Sequence, residues 1–67
     1  MTEHPTTATN LGNLAGVVRA QGDLDAARTL HERALAIREA RLGPDHPDTV
    51  RSRGLLAAVV TALENRQ

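Results

Sequence analysis

The tetrapeptide His46-Pro47-Asp48-Thr49 stands 42 residues after His4-Pro5-Thr6-Thr7, and the register persists beyond it. At that offset Gly12 meets Gly54, Leu14 meets Leu56 and Ala15 meets Ala57. Val17, Val18 and Ala20 likewise meet Val59, Val60 and Ala62. A chain that copies itself at a period of roughly 20–50 residues builds stacked supersecondary units, and copies with helical spacing build helix pairs. One such unit cannot bury its apolar face alone. Repeats therefore stack into a solenoid, an architecture that presents an extended surface to something else. At 67 residues this chain holds about one and a half units.

The repeat divides into three helices and two short connections, one all-α domain over residues 1–67. Pro5 and Pro47 each suit a first helical turn, where a missing N–H costs nothing. The spacing predicts a first helix over 5–21, with Leu11, Leu14, Ala15 and Val18 on one face. Gly22 then ends it as a left-handed residue just past a helix does. Asp23 is placed to cap a second helix over 23–42, whose apolar band holds Leu24, Ala27, Leu30, His31, Ala34, Leu35, Ile37 and Leu42. Gly43-Pro44 stops that helix. The third helix, 47–64, repeats the first and fades into Glu64-Asn65-Arg66-Gln67. Connections this short make neighbouring helices antiparallel.

Bulk for a core is scarce. The large aliphatics are nine Leu, five Val and one Ile, with no aromatic residue and no cysteine. A chain of this length buries a low fraction of its surface, so self-association, or the rest of a longer parent protein, is the expected remedy. Eight Arg balance eight Asp plus Glu, which leaves no net field to draw in nucleic acid or an anionic membrane. No apolar run approaches the ~20 residues of a membrane span, and the N-terminus lacks the layout of a signal peptide. Without cysteine nothing points to an oxidising compartment, so a cytoplasmic location is expected. The absence of Lys beside eleven Ala and eight Arg points to codon bias in a GC-rich genome, and a bacterial source is the expectation.

Three runs of residues carry a family resemblance: Gln21-Gly22-Asp23-Leu24-Asp25-Ala26-Ala27, Arg33-Ala34-Leu35-Ala36-Ile37-Arg38-Glu39, and Leu42-Gly43-Pro44-Asp45-His46-Pro47-Asp48-Thr49. They resemble the 42-residue tetratricopeptide repeat of the kinesin light chain type, over nearly the whole chain. Ala15, Ala27 and Ala34 fall where that family needs close helix contact, and Asn13-Leu14-Ala15 matches its first-helix signature. The resemblance implies an antiparallel hairpin plus a third helix and a non-catalytic scaffold that binds a peptide or partner domain. It departs from the family at His31, Val18 and Leu24, where aromatics are usual, so the hairpin core is lighter. In the third helix Arg53 replaces Leu11 and Leu55 replaces Asn13, a degenerate repeat start.

Two surfaces of the chain invite a function. Gly12, Gly16 and Ala20 form a file of small residues on the first helix, copied by Gly54, Ala58 and Ala62 on the third. The plain expectation is that these two helices pack through it. The sharper one makes it a shallow groove for an extended segment, with Thr9, Asn13 and Gly16 lining it and Arg51 adding a carboxylate contact. The second surface is the stripe Leu55, Val59 and Leu63, displaced from the Leu56, Ala57 and Val60 face expected to meet the second helix. That stripe is the candidate self-association site. The alternative function is then a structural homo-oligomerisation element of a larger regulatory protein.

Catalysis finds little support in the residues. His4 and His46 are copies of one His-Pro helix start, and His31 lies on an apolar band, where a packed histidine is the commoner role. Asp45, His46 and Asp48 adjoin in one loop and do not converge as tetrahedral metal ligands do. Ser52, the one serine, has no base on its own face, and no glycine-rich phosphate loop follows a strand. The expectation is no enzyme activity, no cofactor, no metal, no nucleic acid and no membrane.

Overall fold

The computed structural model describes residues 3–66. It contains three helices, α1 (Pro5–Ala20), α2 (Leu24–Leu42) and α3 (Pro47–Asn65), and no strand among the described residues. The chain measures 36 × 19 × 18 Å, one helix length by about two helix widths. α2 packs on both neighbours.

The repeated His-Pro is a repeated helix cap. Proline pushes the residue before it into extended backbone, the conformation an N-cap needs, and His4 (φ −67°, ψ 147°) and His46 (φ −64°, ψ 138°) both adopt it. Their Nδ1 atoms then accept from the backbone N–H of Thr6 at 3.0 Å and of Asp48 at 3.1 Å. Imidazole nitrogen thus replaces the usual hydroxyl or carboxylate oxygen. Asp23 caps α2 in the ordinary way, its Oδ1 accepting from Ala26 N–H at 3.0 Å. It is therefore the cap rather than the first helical residue.

Gly22 has φ +89°, and around it the N–H of Gly22 donates to Arg19 O and that of Asp23 to Val18 O, both at 2.9 Å. Those two bonds close a Schellman motif. Gln21 is its C-cap, so α1 stops one residue short of the expected end. At the other end Gly43 (φ +90°) closes α2 by donating to Glu39 O. α3 runs to Asn65, one residue past expectation, because nothing in its polar end breaks a helix.

Alanines carry the α1–α2 contact. Ala8, Ala34 and Ile37 form one buried cluster, with Leu11 packed against it. The antiparallel register that sets Ala8 beside Ala34 brings Ala15, seven residues on, level with Ala27, seven back. Ala15 and Ala27 are fully buried. Small side chains at that spacing let the two backbones approach closely.

α3 turns a different face to α2 than its sequence suggested. Thr49, Ser52 and Val59 are buried, whereas Ala57 is exposed and Val50 and Val60 are 50% and 36% exposed. The face formed by Leu56, Ala57 and Val60 was expected to meet α2. Only Leu56 is turned partly inward, and Val59, assigned to a self-association stripe, is buried within the chain. The reason is the order of elements. A first helix has one face for the helix that follows it and another for the helix that precedes it. α1 has α2 after it and buries Ala8 and Ala15; α3 has α2 before it and buries Thr49, Ser52 and Val59, the counterparts of Thr7, Asn10 and Val17 on a different side of the helix. Accordingly the α1 copies of Leu56 and Val59, namely Leu14 and Val17, lie 49% and 54% exposed.

One buried polar atom in that interface is unpaired. Thr49 is fully buried and its Oγ1 has no hydrogen-bond partner among the described residues. Thr49→Val keeps the shape and removes the stranded hydroxyl, so we expect it to stabilise the fold by about 1–2 kcal/mol in urea melts. A destabilised valine variant would mean that the hydroxyl is bonded after all.

Candidate functional site

With α2 behind them, α1 and α3 stand apart and leave an open cavity of about 330 Å³. α1 lines it with Thr9, Gly12, Asn13, Gly16 and Arg19, residues three or four apart and hence on one helical stripe. α2 contributes His31 and Arg38 to the cavity, and α3 contributes Arg51 and Leu55. The four residues expected to line a groove, Thr9, Asn13, Gly16 and Arg51, therefore border one space. Of the stripe assigned to self-association, Leu55 faces this cavity and is half-buried, Leu63 is half-buried, and Val59 is inside the fold.

The small-residue file makes room rather than contact. A Cβ built on Gly12, Gly16 or Gly54 meets nothing within 4 Å. The expectation that α1 and α3 pack through these residues is thus not met. Between the two helices lies the Arg38 guanidinium. Its Nη1 donates to Ser52 Oγ at 2.7 Å and to Asp48 O at 3.4 Å on α3, and its Nη2 donates to Thr9 Oγ1 at 3.3 Å on α1. One α2 side chain thereby ties all three helices and holds the groove open at a set width.

His31 is the titratable residue here with a perturbed affinity for protons. It is 4% exposed, and burial first, then the Arg19 charge, lower its pKa below the ordinary histidine value. A histidine whose folded pKa lies below its unfolded one binds its proton more readily in the unfolded chain. The stability it contributes is complete above about pH 6.5 and is lost as the pH falls below that value. We expect urea midpoints of the wild type to drop between neutral and mildly acid pH more than those of His31→Phe. Parallel pH profiles would show that His31 takes up its proton equally in both states.

Three of the lining residues, Arg19, His31 and Arg38, were not assigned to the groove from the sequence. Arg19 was legible, since it continues the Thr9, Gly12/Asn13, Gly16 stripe by one more step of three. His31 and Arg38 each follow a buried alanine, Ala27 and Ala34, by four, which puts them on the inner face of α2. Among the described residues no group of His, Asp and Glu is placed to hold a metal.

Compared with known proteins, a family model described as the tetratricopeptide repeat matches residues 5–67. No curated protein and no solved structure matches the chain.

Proposed function

The chain belongs to the tetratricopeptide-repeat family, whose repeats generally mediate protein–protein interaction, and from that premise we propose that it binds an extended segment of a partner protein in the α1/α3 groove. The observation that carries this reading is the convergence of Thr9, Asn13, Gly16 and Arg51 on one open cavity. Asn13 offers both a donor and acceptors to a ligand backbone, and Thr9 adds a hydroxyl. Gly12 and Gly16 let that backbone come close to α1. The reading is of a non-catalytic, cofactor-free module, cytoplasmic and bacterial, acting on protein rather than nucleic acid or membrane. The 42-residue period supports the kinesin light chain type of repeat. No helix among the described residues is long and apolar enough to cross a membrane.

A single substitution tests the groove. Gly16 is exposed and has open space where its side chain would lie, so Gly16→Leu fills the cavity without disturbing the core. It also replaces a poor helix former, worth roughly 1 kcal/mol in favour of folding. Peptides selected from a displayed random library on the wild-type protein should bind Gly16→Leu at least about tenfold more weakly, a loss of 1.4 kcal/mol. Equal binding to both would remove the groove as the site.

Assembly is a second reading, favoured by four exposed large apolar residues among the described ones: Leu14 and Val17 on one side, Val50 and Val60 on the other. The occupant would be a second copy, because the core within one chain is built mostly of alanine. Self-association through these residues should raise the melting temperature with protein concentration. A monomer of constant stability across dilution would eliminate it.

A further inference from the structure

α3 sits on α2 through Thr49, Ser52 and Val59, all buried, with Leu56 half-buried beside them. At the 42-residue offset α1 carries Thr7, Asn10, Leu14 and Val17, and the last three of these are exposed. The chain therefore holds two helices patterned for one seat, and one of them shows that face to solvent. α1 cannot use the face within its own chain, because its other side, Ala8 and Ala15, is already buried against the same α2. The α2 of a second copy is free of that constraint.

We propose that α3 is an exchangeable plug: when it leaves its seat on α2, α1 of a second copy takes the place and the chains add head to tail. The proposal rests on the assembly reading given above and names its seat and its occupant. The replacement preserves the chemistry of the contact. His4-Pro5 starts α1 with the same cap that His46-Pro47 gives α3, and Val17 repeats Val59. The Asn10 side-chain carbonyl can accept from Arg38 where Ser52 Oγ now does. Two differences keep the single chain closed. α3 places half-buried Leu55 and Leu63 where α1 has Asn13 and Gln21. The short Gly43–His46 connection also holds α3 beside its seat at a high effective concentration. Because the contact joins two different surfaces, each added copy exposes the next seat, and growth stops only if a ring closes.

The test follows mean mass by light scattering across dilution, while circular dichroism reports helix content. Val59→Ala loosens α3 by removing buried methyl groups without adding a charge. Its mean mass should rise with concentration above that of the wild type. Val17→Glu in the same chain should return it to the monomer, since a carboxylate cannot enter the seat unpaired. Val60→Glu adds the same charge on α3 outside the seat and should leave that association as it is. Val17 and Val60 are exposed in the closed chain, so neither substitution disturbs its core. Asn13→Leu with Gln21→Leu approaches from the other side: it gives α1 the leucines of α3, touches no buried residue, and should produce association that Val17→Glu again abolishes. That pair decides the matter if Val59→Ala loses its helix content. Association that survives Val17→Glu, or a Val59→Ala chain that stays helical and monomeric at every concentration, overturns the exchange. A wild type that associates through Val60 as well as Val17, unchanged by Val59→Ala, removes the exchange and leaves the assembly reading standing. A wild type that is monomeric throughout, beside a Val59→Ala chain that associates through Val17, does the reverse.

Discussion

Val59→Glu should unfold this protein at neutral pH, or detach α3 from α2, while Val60→Glu one residue along leaves the melting curve near that of the wild type. Val59 is fully buried, whereas Val60 is more than a third exposed. A carboxylate at position 59 loses its hydration with no cation placed to receive it, a penalty of several kcal/mol even after relaxation. Small domains rarely have more than about 3–5 kcal/mol in reserve. The buried Glu would have a pKa raised above its unfolded value, so the destabilisation is full at neutral pH and is relieved as the pH falls towards about 4.3. Partial recovery of helical circular dichroism on mild acidification should follow. The opposite ranking, with Val60→Glu the damaging change, would show that α3 meets α2 by its other face.

The second large effect is expected at Arg38. Arg38→Met keeps most of the aliphatic stem and removes the guanidinium, which leaves Ser52, only 1% exposed, without its 2.7 Å donor. A stranded polar group costs about 1–3 kcal/mol. In a domain of this size each kcal/mol lowers the melting temperature by roughly 4–8 °C. Because Arg38 also reaches Thr9, the loss should extend to the spacing of α1 and α3, readable as shifted amide resonances of Gly12 and Gly16. A cycle with Ser52→Ala separates the pair from the rest: a coupling of roughly 0.5–3 kcal/mol is expected. Strictly additive single losses would mean that the Arg38–Ser52 bond contributes nothing.

Sequence alone shows the local and periodic features of this protein. The 42-residue repeat, Pro5 and Pro47 at helix starts, Gly22 and Gly43 past helix ends and Asp23 at a cap all act over a few residues of backbone. Each reads directly as a helix boundary. Thr9, Asn13 and Gly16 share a stripe because helical spacing puts them there, and their pairing with Arg51 followed from the offset of the repeat. What the tertiary structure alone decided is which side of each helix is covered. Two segments with the same pattern, α1 and α3, bury different faces because one precedes α2 and the other follows it. A helical wheel shows where the faces are but not which neighbour exists to cover them. The same limit hid Arg38, a charged residue beside an apolar band whose role depends on Ser52 and Thr9. Those residues are 14 and 29 positions away in the chain and come within reach only once α2 lies between its neighbours.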